Sequence, residues 1–173
     1  MLYIRHGQTD YNVNDLWMGS IDAPLNFQGR MQARNAAIDL SRTVIKKIYS
    51  SPLVRAYETA LFIADKQSIL PEIIVMPGLR ERCFGELEGR SKSVEARDNF
   101  TSYSGVENEY DFRARILSAM TSIEKNETVL IVSHSAVFRC LTKELSYSVT
   151  PSVEKILNCQ IVRLCKEVYG AKG

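Results

Sequence analysis

Tryptophan occurs once and histidine twice in this chain of 173 residues, while cysteine, proline and glycine number only 4, 5 and 9. So little Gly and Pro excludes collagen-like and low-complexity chains, and an apolar content of 45% excludes wholesale disorder. The cysteines, Cys83, Cys140, Cys159 and Cys165, form no CxxC pair, which removes the signature of a zinc ribbon or redox motif. Cys140, Cys159 and Cys165 lie in apolar stretches and read as reduced core thiols. An excess of one charge is missing too. Lys plus Arg number 22 against 20 Asp plus Glu, with the signs interspersed, so the electrostatic footprint of a nucleic-acid binder is absent. No apolar run approaches the roughly 18 to 20 residues that span a bilayer, and no membrane partner is expected. Arg5-His6-Gly7 breaks the first apolar stretch, so the N-terminus does not read as an export signal. These bounds describe a soluble, cytoplasmic protein with one domain over residues 1–173, long enough to bury a core without disulfides or metals. Oligomeric state is not legible.

What is present is an alternation of short apolar runs with longer helical patterns. Residues 2–4, 47–49, 73–76 and 128–132 are short and rich in β-branched or aromatic residues, as strands are, and 160–168 supplies a last one. Ala33, Ala36, Ala37, Leu40 and Val44 recur with helical period, as do Phe112, Ile116, Met120 and Ile123, and then Val137, Phe138, Leu141 and Leu145. Ser51-Pro52 predicts another helix start, with Ser51 as N-cap and Pro52 at the first helical position. Strands alternating with helices imply crossover connections. The expected fold is therefore α/β, a three-layer sandwich with a mostly parallel central sheet flanked by helices.

In such folds ligands gather beyond the carboxyl ends of the strands, and that is where the rare residues fall. His6 and His134 each follow a predicted strand directly, Arg55 lies in the first turn of the helix after the second, and Glu81 follows the third. An arginine in a first helical turn opposes the helix dipole, a conflict that a bound anion would relieve.

Five ordered blocks carry a resemblance. Leu2-Tyr3-Ile4-Arg5-His6-Gly7-Gln8-Thr9-Asp10-Tyr11-Asn12 comes first, then Gly19-Ser20-Ile21-Asp22-Ala23-Pro24-Leu25 with Gly29 and Gln32-Ala33. Ser51-Pro52-Leu53-Val54-Arg55-Ala56-Tyr57-Glu58-Thr59-Ala60 follows, then Leu79-Arg80-Glu81 with Phe84-Gly85-Glu86-Leu87-Glu88-Gly89, and finally Val132-Ser133-His134. Together they resemble the histidine phosphatase superfamily, also called phosphoglycerate mutase-like, over almost the whole chain. The resemblance implies that His6 is the nucleophile that becomes a phosphohistidine. Arg5, Arg55 and His134 would hold the phosphoryl oxygens, with Thr9 and Asn12 adding hydrogen bonds. Glu81 would protonate the leaving oxygen and then activate water, so activity should fall at alkaline pH. No metal and no cofactor are implied. Arginines suit the task because the planar guanidinium grips two phosphate oxygens at once.

The expected partner is a small phosphorylated substrate. The short stretch between Glu81 and His134, and the lack of a tandem-Arg motif, favour a phosphatase over a mutase, since a mutase must exclude water. A phosphate-binding regulatory module without catalysis is the third reading. The chain departs from many relatives in having Ser135-Ala136 after the second histidine, Leu87 where Trp is frequent, and Glu107-Asn108 where Glu-Ser is frequent. Glu107 reads as an acid of a first helical turn, Arg82, Arg90 and Arg139 as candidates for meeting substrate charges with a solvated surface role the commoner one, and 90–107 as a mobile loop.

Overall fold

The alternation of apolar residues along the short strands sets the layering of this computed structural model, which describes residues 1–124 and 128–166. Strands β1 (Leu2–Arg5), β2 (Lys47–Ser50), β3 (Glu72–Val75), β4 (Val129–Ser133), β5 (Tyr147–Thr150) and β6 (Ile161–Lys166) form one sheet in the order β3-β2-β4-β1-β6-β5. The first four positions in that order run parallel, and an antiparallel hairpin of β6 and β5 closes one edge. Helices α1 (Asp10–Val13), α2 (Phe27–Leu40), α3 (Val54–Asp65), α4 (Val94–Asp98), α5 (Glu109–Ser122) and α6 (Ser135–Lys143) complete the framework.

Successive strand residues point to opposite faces, and both faces are apolar. Tyr3, Tyr49, Val129 and Ile131 meet Phe112, Ile116 and Met120 of α5 and Val137, Phe138 and Leu141 of α6. Leu2, Ile4, Ile48, Leu130 and Val132 meet Ala36, Ala37 and Leu40 of α2 and Ala56, Ala60 and Ile63 of α3. The alanines let α2 and α3 pack closely over the sheet. The expected three-layer α/β sandwich is thus the observed one, and all five residues of β4 are buried at its centre.

Several local expectations are corrected. Val44 lies beyond the end of α2 and is half exposed. Helix α3 starts at Val54, and its N-cap Leu53 contributes no side-chain bond. Asp22 Oδ1 instead accepts the Val54 N–H at 2.6 Å, so a carboxylate from a distant loop caps the helix, while Ser51 Oγ accepts the N–H of Leu53 at 3.3 Å, one residue ahead of it. Strand β5 escaped the sequence reading because Tyr147-Ser148-Val149-Thr150 is a short, partly polar edge segment. Strand β6 occupies Ile161–Lys166, and the expected continuation to Val168 falls outside the described residues. Its period-2 alternation buries Leu164 and leaves Cys165 exposed, not in the core, while Cys159 is half buried. The 90–107 segment is no simple loop. It holds α4, capped by Ser93, and a 3-10 turn at Phe100–Ser102, and Phe100 packs against Trp17 and Phe84.

Strand register brings the site together. Arg5 pairs with Ser133 across β1 and β4, and Ser50 pairs with Val132 across β2 and β4. His6, His134 and Ser51 therefore leave three neighbouring strands at the same level.

Candidate active site

His6 begins where β1 ends, its N–H donating to Ser133 O at 3.0 Å and its ring buried. Nδ1 lies 2.7 Å from the Gly7 carbonyl. A carbonyl can only accept, so Nδ1 carries the proton and Nε2 keeps its lone pair. Burial, and then the charges of Arg55 and Arg5, hold the imidazole pKa well below its ordinary 6.5. Gly7 is required by crowding: a Cβ there would stand 2.5 Å from Gly29 O, at the start of α2. The Gly7 N–H donates to Thr59 Oγ1, whose hydroxyl donates to Arg55 O, tying the loop after β1 to α3.

Arg55 is fully buried. Nη1 donates to Ile21 O at 2.7 Å and Nη2 to Gly19 O at 2.8 Å, while Nε is sealed from solvent without a partner. Burial pulls its pKa down to about 10 against the opposing pull of Glu81. The carbonyls that grip Arg55 belong to a loop which Glu88 pins. Its carboxylate accepts Ser20 N–H, Ser20 Oγ–H and Phe84 N–H, each at 2.8 Å. Gly19 has φ +51, and a Cβ there would fall 2.1 Å from Glu88 Oε1, so only glycine fits. Arg5 donates through Nη1 to Ile156 O at 3.2 Å, and its Nε is likewise buried and unpartnered. Burial lowers the Arg5 pKa, opposed by Glu81. Two guanidinium groups with orphaned buried donors beside a free imidazole nitrogen suit a tetrahedral anion.

Glu81 is buried at the N-terminus of α6. Oε2 accepts Ala136 N–H at 3.3 Å and Ser135 Oγ–H at 3.4 Å, and Oε1 accepts Arg82 N–H at 3.0 Å. The carbonyls of its own loop are held by Arg115: Nη1 donates to Gly78 O and Arg80 O, each at 2.8 Å, and Nη2 to Glu81 O at 3.0 Å. Arg115 is in turn bound bidentately by Glu107, at 2.7 and 2.9 Å. Glu107 therefore precedes the N-cap Asn108 of α5 and anchors an arginine, where a first-turn dipole role was expected. Burial would raise the Glu107 pKa, but the hydrogen bonds and charge of Arg115 leave it below the ordinary carboxylate value.

The His134 ring lies 5.2 Å from that of His6, centroid to centroid. Its Nε2 stands 2.7 Å from Ser51 Oγ, and Nδ1 is buried without a partner. Burial, and then the charges of Arg55 and Arg5, keep its pKa well below 6.5. Tyr3 donates its hydroxyl to His134 O at 2.6 Å and, pushed far up by burial, stays a donor. Thr9 is fully buried, but its N–H and hydroxyl both donate to Asn12 Oδ1, closing a capping box on α1. Asn158 Nδ2 donates to His6 O and Asn12 Oδ1, linking that cap to the backbone of His6. The fold thus gathers His6, Arg5, Arg55, His134 and Glu81, with Asn12 and the buried Thr9 tied to His6 through Asn158. Sequence reasoning missed Ser51 as a histidine partner and Glu88, Arg115 and Asn158 as supports. Ser51 and Glu88 left a trace, their places inside the third and fourth motif blocks.

Arg90 and Arg139 are exposed as expected, but Arg82 is buried to 7% exposure, because two phenylalanine rings cover it.

Known proteins resemble this chain in sequence and fold. Phosphoglycerate mutase-like protein 4 of Arabidopsis thaliana is 34% identical over 93% of this chain and 76% of its own length. The metal-independent phosphoserine phosphatase of the same plant is 33% identical over 93% and 74%. The mycobacterial glucosyl-3-phosphoglycerate phosphatase, solved with VO3, superposes with a TM-score of 0.76 at 25% identity, covering 95% of this chain and 96% of that one. With the model of the histidine phosphatase superfamily (branch 1) matching residues 1–168, this chain belongs to that superfamily.

Proposed function

We propose that this chain is a metal-independent phosphatase that hydrolyses a small phosphomonoester through a phosphohistidine on His6. The observation that carries the reading is the tautomer of His6: Nδ1–H is committed to Gly7 O, and Nε2 is left as an unprotonated nucleophile facing cationic groups. In the first step the Nε2 lone pair forms the N–P bond while the bond from phosphorus to the leaving oxygen breaks. The Glu81 carboxylic acid donates its proton to that oxygen. In the second step the Glu81 carboxylate takes a proton from water as the water oxygen attacks phosphorus and the N–P bond breaks. Phosphate leaves and both groups return to their starting states. Arg5 and Arg55 hold the phosphoryl oxygens, drawing on the donors that have no protein partner. His134 contributes a neutral ring donor, and Asn12 a side-chain amide at the rim.

The test is phosphate release from p-nitrophenyl phosphate in excess chelator, with His6→Ala as control. Release in chelator that the variant loses by about a thousandfold or more is the expected outcome. Quenching at alkaline pH during turnover should trap label on His6, since the phosphoramidate bond is acid-labile. Label on a cysteine, or an obligatory divalent ion, would overturn the reading. Transfer of the phosphoryl group between carbons of phosphoglycerate with little release would indicate a mutase, and neither activity the regulatory module.

A further inference from the structure

The two histidine rings lie 5.2 Å apart, centroid to centroid, and both are buried, yet their hydrogen bonds suit them to opposite tasks. His6 faces an acceptor: Gly7 O takes the proton of Nδ1 and leaves Nε2 with its lone pair. His134 faces a hydroxyl. Its Nε2 stands 2.7 Å from Ser51 Oγ, and both residues are fully buried.

A serine hydroxyl carries one proton and accepts through its lone pairs. Ser51 Oγ already accepts the Leu53 N–H at 3.3 Å, and among the described residues its only other partner is His134 Nε2. If Nε2 were protonated it would donate to Ser51 as well, and the Ser51 proton would be buried without an acceptor. Every group is satisfied only when the Ser51 O–H donates to the Nε2 lone pair. A neutral imidazole has one N–H, so the proton of His134 then sits on Nδ1. Nδ1 is itself sealed from solvent and finds no partner among the described residues. Capping does not use it, because His134 is the N-cap of α6 without a side-chain bond, and the Ala136 N–H goes to Glu81. Nδ1–H is therefore a buried donor without a protein acceptor, in the company of Arg5 and Arg55, whose Nε atoms are orphaned in the same way.

We propose that Ser51 is a positioning residue that sets the tautomer of His134, so that Nδ1–H and not a lone pair meets the phosphoryl oxygens. The proposal rests on the phosphatase reading and deepens it. An acceptor beside His6 makes that ring a nucleophile, and a donor beside His134 makes the second ring a donor. Without the hydroxyl, the His134 proton is free to sit on Nε2. Nδ1 would then turn a lone pair toward anionic oxygen, and a contact that should strengthen as charge develops would become repulsive.

Nitrogen-15 spectra of untagged, histidine-labelled protein at mildly alkaline pH test this, since the chain has only two histidines and His6→Ala identifies the second by elimination. His134 should show a protonated Nδ1 and an unprotonated Nε2. Ser51→Ala should move the proton to Nε2, wholly or in part, and Ser51→Thr, which keeps a hydroxyl, should hold it on Nδ1. A wild-type His134 protonated on Nε2, or a tautomer that Ser51→Ala leaves unchanged, overturns the proposal. Ser51→Ala should also lower kcat/KM for p-nitrophenyl phosphate and the affinity for orthovanadate about tenfold or more. His134→Asn carries an amide N–H in place of Nδ1–H and has no tautomer to set, so adding Ser51→Ala to it should cost far less than in wild type. A Ser51 that merely packs would cause the same loss in both backgrounds, and equal losses refute the proposal. Ser51→Cys, close in volume and a weaker donor, gives an intermediate loss and serves where the alanine variant does not fold. Failure of the phosphatase reading shows separately, as absent p-nitrophenyl phosphate turnover, because the spectra require none.

Discussion

Both histidines of the chain are buried against arginines, and an imidazole so placed is kept neutral by lost solvation and by neighbouring positive charge. Two outcomes follow at this scale. Activity should carry no ionisation near pH 6.5 on its acid side, since His6 in the folded state holds its lone pair well below that value. A kcat/KM profile from pH 8 to 5 that bends near 6.5 would contradict the assignment. Stability should behave oppositely. An unfolded histidine binds a proton near pH 6.5, while the folded ones do so only at lower pH, so the unfolded chain takes up more protons in between. The histidine contribution is therefore complete above about pH 6.5 and is lost progressively as pH falls toward the folded values. Thermal midpoints should drop between pH 7 and 5, and the slope should be shallower in His134→Gln; an unchanged slope would show that His134 is not the titrating group.

The elements that carry these residues are held by clamps more than by their own propensities. The turn before α3 has no local cap, and the Gly19–Asp22 loop supplies both the Asp22 cap and the carbonyls that orient Arg55. Glu88 restrains that loop through three donors, so Glu88→Ala should weaken phosphoryl binding. Inhibition by orthovanadate, measured against wild type, should lose about tenfold, with Glu88→Gln between the two. The Glu107–Arg115 pair plays the same part for the Glu81 loop. Its side chains are only 10% and 17% exposed, so Arg115→Ala strands a nearly buried carboxylate and should cost about 3 kcal/mol in urea denaturation. It should also lower kcat more than it raises KM, because Glu81, the proposed proton donor, loses its seat while Arg5 and Arg55 stay in place. A loss of stability with an unchanged kcat would reduce the pair to a structural brace.

For the molecule as a whole, the site is a junction. The groups proposed to hold the phosphoryl oxygens lie at the ends of β1 and β4 and in α3, so an anion bound there would join segments distant in sequence. Orthovanadate at about one hundred times its dissociation constant should stabilise the fold by about 2.7 kcal/mol, or roughly 5 to 10 °C in midpoint for a domain of this size. Differential scanning calorimetry reads this directly, and the shift should shrink in Arg5→Gln. The α/β layering that makes the junction was legible in advance. Short runs rich in β-branched and aromatic residues and apolar stripes at period 3.6 are local consequences of which face is buried, and they marked five of the six strands and most of the helices. The edge strand β5, the foreign cap of α3 and the ordered 90–107 segment were not legible, since each depends on partners far along the chain.

Residue chemistry was likewise written locally: an imidazole after the first strand, a second after the fourth, and an arginine at the opening of α3 mark the candidate site by kind and by order. Which donors remain free, which are spent on Gly19, Ile21 or Asn12, and that the Ser51 hydroxyl meets His134 Nε2 were decided by tertiary packing alone. Hydrogen-bond satisfaction and desolvation are properties of neighbours in space, and no spacing along a chain encodes them.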